Sequence, residues 1–173
     1  MRLSEHPLIT REAIAVRVAE LARQLDADFA GTEPVLVGVL KGALHFTSDL
    51  ARAMQIDSQI EFLSAQSYVD TESSGSVTLR EDGLPDLSGR AVILVEDILD
   101  TGRTAARLLE AVQAHGPATL RICTLLDKPA RRGLPIEPDY TGFTIDDHFV
   151  VGYGLDYNQR YRGLPAVYTL EAD

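Results

Sequence analysis

The chain carries a single cysteine, Cys123, so it can close no internal disulfide and build no thiolate metal cluster. Cys123 stands in "LRICTLL", where a small core hydrophobe is expected. Positive charge is also scarce. Sixteen Lys and Arg against 26 Asp and Glu leave a net charge of −10. That balance argues against a broad nucleic-acid surface or a surface for anionic membranes, but permits a small basic pocket for an anionic metabolite. Long apolar runs are missing, so no membrane span is expected. The opening "MRLSEHPLIT" lacks the apolar core of a secretory signal, and a cytoplasmic location follows as an expectation. The pattern G-x-x-x-x-G-K-[ST] occurs nowhere, which argues against a P-loop nucleotide hydrolase. Internal repeats and low-complexity tracts are absent too.

What is present suits one domain over residues 1–173, with 45% apolar and 24% charged residues. Residues 10–29 place Ile14, Val18, Leu21 and Leu25 at helical spacing behind Thr10, a candidate N-cap. "PVLVGVL" (34–40), "AVILVED" (91–97) and "ATLRICTLL" (118–126) are short apolar runs typical of strands covered on both faces. Residues 58–68 alternate as a strand. Residues 42–54 and 103–115 read as helices, the latter stopped by Gly116-Pro117. This alternation predicts an α/β fold, a twisted parallel sheet flanked by helices. Ligands of such sheets sit beyond the carboxyl ends of the strands. The loops after Leu40, Val95 and Leu126 should therefore share one site. Residues 69–89 are polar and glycine-rich, long for an idle connection, and are expected to form a flexible lid loop.

The stretch "VILVEDILDTGRT" (92–104) joins a buried strand to a helix through small polar residues. Gly102 permits a tight turn, Thr101 and Thr104 offer hydroxyls, and the N–H groups and dipole of the next helix favour an anion. Glu96, Asp97 and Asp100 would repel a phosphate, so they need other tasks. Carboxylates can accept hydrogen bonds from sugar hydroxyls, hold a hard cation such as Mg²⁺ or act in general acid/base catalysis.

"VEDILDTGRT" resembles the phosphoribosyl-pyrophosphate signature of type I phosphoribosyltransferases. Further segments resemble the hypoxanthine-guanine branch of that family. "VGVLKGALHF" (37–46) is similar to its pyrophosphate loop, "LLDKP" (125–129) to its purine-contacting lysine segment, and "FVVGYGLDYNQRYRGLP" (149–165) to its C-terminal signature. "SAQSY" (64–68) leads into the lid as in that family. The resemblance implies the type I fold, with a small hood formed by terminal segments.

It also implies roles for individual residues. Asp100 would contact the purine N7 and serve as general acid/base. Glu96 and Asp97 would engage the ribose hydroxyls and the metal region, and residues 100–104, Arg103 included, would cradle the 5′-phosphate. Lys41 and Gly42 would bind pyrophosphate, after a peptide bond that can be cis in the family, with Arg162 also reaching that group. Lys128 would donate to the purine O6, Phe149 would stack on the ring, and Val150 would read the base edge through its backbone. Asp156 would lie by the base and hold a second Mg²⁺ through water, making Glu96, Asp97 and Asp156 the metal-facing residues. Ser67 and Tyr68 would ride on the lid. The four histidines match no catalytic position.

The implied activity is Mg²⁺-dependent transfer of phosphoribose from 5-phosphoribosyl 1-pyrophosphate to hypoxanthine or guanine, within purine salvage. The resemblance further implies a homo-oligomer, dimer or tetramer, with small-molecule partners. Two alternatives stay open. One is a nucleotide- or RNA-binding regulator on the same fold. The other is a transferase for xanthine or another base.

Overall fold

The computed structural model describes residues 2–67, 77–80 and 84–171. Its elements run β1 (Arg2–Leu3), α1 (Arg11–Asp28), β2 (Val35–Leu40), α2 (Leu44–Ala53), β3 (Gln59–Ser67), β4 (Val77–Arg80), β5 (Ala91–Leu99), α3 (Arg103–Ala114), β6 (Thr119–Asp127), a 3-10 turn (Pro129–Arg131), β7 (Tyr140–Thr144), β8 (Val150–Val151) and β9 (Tyr168–Glu171).

Six strands form the main sheet in the order β4-β3-β2-β5-β6-β7. Five of them are parallel; β4 lies antiparallel to β3 at one edge. The chain leaves β2 outward to β3, returns to β5 beside β2, and then proceeds to β6 and β7. Strand order therefore reverses between β2 and β5. At that point the carboxyl-end loops diverge and leave a crevice, the place where open α/β sheets bind ligands.

The expected helices and buried strands form for the anticipated reasons. Thr10 caps α1 by accepting a hydrogen bond from the Ala13 N–H at 3.1 Å, and Ile14, Val18, Leu21 and Leu25 are buried along one face. Apolar residues on either side of the sheet make two cores. Leu36, Phe46, Leu50, Ile93 and Cys123 pack with α1 on one side; Val37, Leu63, Leu94, Leu108 and Val112 pack with α3 on the other. Each fully buried Leu or Ile contributes about 1.5–3 kcal/mol relative to exposure. Gly38 sits mid-strand because an added Cβ would meet Thr47 Oγ1 at 2.5 Å and the Phe62 ring at 2.9 Å.

Two expectations need correction. β5 does not stop at Asp97 but runs to Leu99, so Ile98 and Leu99 join Glu96 and Asp97 in the strand. The segment 69–89 is not all loop. Val77–Arg80 is the edge strand β4, and Leu87 is fully buried in the second core. Ser67 ends β3, while Tyr68 lies outside the described residues. A separate three-stranded antiparallel sheet, β1-β9-β8, joins the two ends of the chain, in keeping with a hood of terminal segments. Among the described residues, no helix is long and apolar enough to cross a membrane.

Candidate active site

A cleft of about 600 Å³ opens at the reversal point between β2 and β5. Its walls come from four places: residues 39–42 at the end of β2, Ser64 of β3, residues 96–102 with Thr104 and Ala105 along the end of β5 and the start of α3, and Asp156, Gln159 and Arg162 from the C-terminal segment. Of the residues singled out above, Lys41, Gly42, Glu96, Asp97, Asp100, Thr101, Gly102, Thr104, Asp156 and Arg162 all line it. The loop after β6 joins the same edge, with the Lys128 N–H donating to Leu99 O at 2.9 Å.

The start of α3 forms one end. Gly102 adopts φ +84°, a left-handed conformation that suits glycine, and no side chain caps the helix. Thr101 Oγ1 only reaches the Arg103 N–H at 3.4 Å, and the Ala106 N–H closes the first turn on Gly102 O. The N–H groups of Thr104 and Ala105 thus stand at the cleft without a side-chain oxygen to neutralise them, and that of Arg103 has only the long contact to Thr101, an arrangement suited to an anion. The Arg103 side chain is exposed and does not line the cleft.

The opposite wall is a tight backbone cradle. The Leu40–Lys41 peptide is cis. An added Cβ on Gly42 would fall 1.7 Å from Asp97 Oδ2, and one on Gly154 would fall 1.9 Å from Gly42 O. The pyrophosphate-loop candidate is therefore pressed between β5 and the C-terminal segment. That segment holds Tyr153, Asn158, Gln159 and Tyr161 at positive φ, between 49° and 75°. Such residues each cost on the order of 1 kcal/mol or more, and they collect where a site demands a particular backbone path.

Two cations meet there. Lys41 Nζ and Arg162 Nη2 each donate to Gln159 Oε1 at 3.4 Å. Arg162 also pairs with Asp156 at 2.6 Å and donates to Gly154 O at 2.7 Å, while its buried Nε finds no acceptor among the described residues. Gln159 was not foreseen; a neutral side chain in a polar loop gives no signal of its own.

The acids occupy the floor. Burial, reinforced by the charge on Asp97, raises the Glu96 carboxyl well above the usual range. Asp97 is pushed up to about 6, first by burial and also by Asp156, against the opposing pull of the Ile98 N–H and Arg162. A carboxyl whose folded pKa is raised contributes stability when protonated, and that contribution is lost as pH climbs through about 6. Asp97→Asn should therefore stabilise the free protein at pH 7.5 by roughly 1–3 kcal/mol, with the gain vanishing near pH 4. Thermal unfolding across that range checks this, and a lower midpoint for the variant at pH 7.5 would contradict it.

The charge of Asp156, which helps to raise the Asp97 carboxyl, bears on a metal. Hard carboxylate oxygens brought together in this way suit a divalent cation such as Mg²⁺. Among the described residues no three His, Cys, Asp or Glu converge on one point, so the remaining ligands of such an ion would come from water and substrate oxygens.

The purine-side residues lie farther along the edge. Lys128 is not the exposed turn lysine its sequence context suggests. It is 5% exposed, its Nζ donates to His148 O, and Asp147 lies 3.8 Å away. Phe149 is 49% exposed and rests edge-on against Tyr157, with ring centroids 5.7 Å apart. Val150 is buried in β8. Asp100 Oδ1 lies 3.1 Å from Arg131 Nε, a charge contact without hydrogen-bond alignment, and no described residue donates to it. Behind it the buried Arg132 donates to the carbonyls of Asp100 (2.9 Å), Leu99 (3.3 Å) and Ile136, and to the Asp127 carboxylate. The dibasic "RR" three residues after Lys128 is the only sign that the sequence offers of Arg131 and Arg132.

Comparison with known proteins agrees with this geometry. The profile of the phosphoribosyl transferase domain matches residues 8–158. The chain is 44% identical to a hypoxanthine-guanine phosphoribosyltransferase of Mycobacterium avium, over 95% of this chain and 84% of that protein. It is 41% identical to the hypoxanthine phosphoribosyltransferase of Escherichia coli, over 96% of each. A solved hypoxanthine-guanine phosphoribosyltransferase from Bacillus anthracis superposes with a TM-score of 0.92 at 42% identity, covering 98% of this chain and 100% of that one.

Proposed function

The chain belongs to the phosphoribosyl transferase family, and from that premise we propose that it transfers phosphoribose from 5-phosphoribosyl 1-pyrophosphate to hypoxanthine and guanine. The products are a nucleoside 5′-monophosphate and pyrophosphate. The observation that carries this reading is the convergence, in one sheet-edge cleft, of a helix N-terminus without a side-chain cap and a cationic pair, with a buried lysine farther along the edge bonded to the carbonyl that precedes a half-exposed aromatic ring.

The 5′-phosphate binds at residues 100–104 through the N–H groups opening α3 and the hydroxyls of Thr101 and Thr104. Pyrophosphate binds the Lys41-Gly42 cradle, where Lys41 and Arg162 offset the charge that grows on the leaving oxygen. Glu96 and Asp97 face the ribose hydroxyls. The purine stacks on Phe149, which Tyr157 holds from its edge. Lys128 has three N–H donors, of which one serves His148 O, so others are free to reach the purine O6. Val150 meets the base edge through its backbone. Asp100 accepts the N7 proton as N9 attacks the sugar carbon, and its unsatisfied Oδ1 supports that role. Asp97 and Asp156, with Glu96 close by, would hold Mg²⁺ with the donor's oxygens; when bound, the metal neutralises charge on the pyrophosphate. Ser67 and Tyr68 are proposed to cover the centre.

The protein is proposed to act in the cytoplasm as a single domain that assembles into a homo-oligomer. The exposed Ile60 and Phe62 on one face of β3 support self-association. The net charge of −10 supports small-molecule rather than nucleic-acid partners. Combining protein, hypoxanthine, donor and Mg²⁺ should yield inosine monophosphate and pyrophosphate one for one, and chelating the metal should stop both. Loss of hypoxanthine without pyrophosphate would refute the reaction.

A further inference from the structure

Along the purine side of the cleft, four charged groups alternate in sign. Arg131 Nε stands 3.1 Å from Asp100 Oδ1, Arg131 Nη1 stands 3.4 Å from Asp147 Oδ1, and Lys128 Nζ approaches that same Asp147 oxygen at 3.8 Å. The ends of this row, Asp100 and Lys128, are the two groups assigned to the N7 and O6 positions of the base.

Two features set the row apart from an ordinary surface ion pair. Asp100 Oδ1 is closed to solvent, yet the Arg131 charge is not aligned as a hydrogen bond to it, so its lone pairs remain available. Arg131 also ends the turn that begins at Lys128. The Arg131 N–H donates to Lys128 O at 3.1 Å, and the Arg132 N–H donates to Pro129 O at 3.1 Å. The main chain that carries the guanidinium is thereby tied to the backbone of the residue proposed to read O6. Because Arg131 and Asp147 are half exposed, at 48% and 54%, their links contribute little to stability. Their removal should register in base recognition.

We propose that Arg131 is a positioning residue for the base: its guanidinium holds the Asp100 carboxylate toward the imidazole edge of the purine, and its contact with Asp147 sets that orientation relative to the Lys128 ammonium. This rests on the assignment of Asp100 to N7. Arg131 touches neither substrate and acts through its two carboxylate neighbours.

The test is a double-mutant cycle of Arg131→Gln with Asp100→Asn, together with Arg131→Lys. Steady-state kinetics with hypoxanthine and 5-phosphoribosyl 1-pyrophosphate are measured alongside thermal midpoints. Arg131→Gln should lower kcat/KM for hypoxanthine about tenfold, with the KM for the phosphoribosyl donor and the thermal midpoint unchanged. Arg131→Lys should fall between wild type and Arg131→Gln, because it keeps the charge but loses the fork that reaches two carboxylates. Adding Arg131→Gln to Asp100→Asn should change the rate less than about twofold. Wild-type kcat/KM in Arg131→Gln overturns the proposal, as does an equal loss in both backgrounds or a fall in thermal midpoint that accounts for the loss. Wild-type turnover in Asp100→Asn removes the Asp100 assignment and the proposal with it. A slow Asp100→Asn with an additive Arg131→Gln removes the proposal alone.

Discussion

Asp100→Asn should slow turnover roughly 10²- to 10⁴-fold while changing affinity for the phosphoribosyl donor only a few-fold. The separation follows from how the loop is built. The Asp100 carbonyl is anchored by Arg132 Nε at 2.9 Å, and the turn behind it is closed by the Gly133 N–H on Thr101 O at 3.0 Å. Neither bond involves the Asp100 carboxylate. The phosphate cradle is built from the backbone of α3 and the threonine hydroxyls, so it should survive the substitution. Asn keeps the size and one acceptor oxygen but cannot take up a proton. Single-turnover rates beside equilibrium binding of the donor distinguish the two effects. Unchanged turnover, or a loss confined to donor affinity, would remove Asp100 from the proton transfer.

The second large effect is expected at Gly42→Ala, which should lower kcat/KM for the donor by about 10²-fold. The new methyl group would fall 1.7 Å from Asp97 Oδ2 and 2.4 Å from its Cγ. Relief by moving the loop away from β5 is blocked on the far side, where Gly42 O already lies too close to Gly154 to admit a Cβ there. Either the Asp97 carboxylate is displaced or the pyrophosphate cradle shifts, and a misplacement near 1 Å costs about 10²-fold in rate. Overpacking should also destabilise the fold by about 1–3 kcal/mol. Gly163→Ala is the matched control, since an added Cβ there meets nothing within 4 Å. If Gly42→Ala behaves like Gly163→Ala in donor kinetics, the cradle is not where pyrophosphate binds.

The parts of the fold legible in the sequence are those with a local signal. β2, β5 and β6 announce themselves as apolar runs, and α1 shows both its period and its Thr10 cap. β1 and β8 span two residues each and exist through pairing with β9, so nothing local marks them. β7 is a moderately polar edge strand, and Arg17 of α1 bonds to its Thr141 and Gly142 carbonyls across more than 120 residues of chain. A contact of that range has no short motif.

The site divides in the same way. The acids, threonines and glycines around α3 follow from a strand-turn-helix pattern whose chemistry is local. Lys128 and Arg132 do not, because residue type alone predicts exposure for both. Lys128 is buried against His148 O, and Arg132 serves backbone carbonyls on either side of itself. Their burial arises from the way the loop after β6 folds over the end of β5.

The most direct measurement of the central claim, that one sheet-edge cleft joins a phosphoribosyl donor to a 6-oxopurine, is a panel of radiolabelled bases. Hypoxanthine, guanine, xanthine, adenine and uracil are each offered with 5-phosphoribosyl 1-pyrophosphate and Mg²⁺. The account predicts label in the nucleoside 5′-monophosphate from hypoxanthine and guanine, with adenine and uracil left unconverted. Transfer to no purine, or to adenine or uracil in preference to the 6-oxopurines, would contradict it.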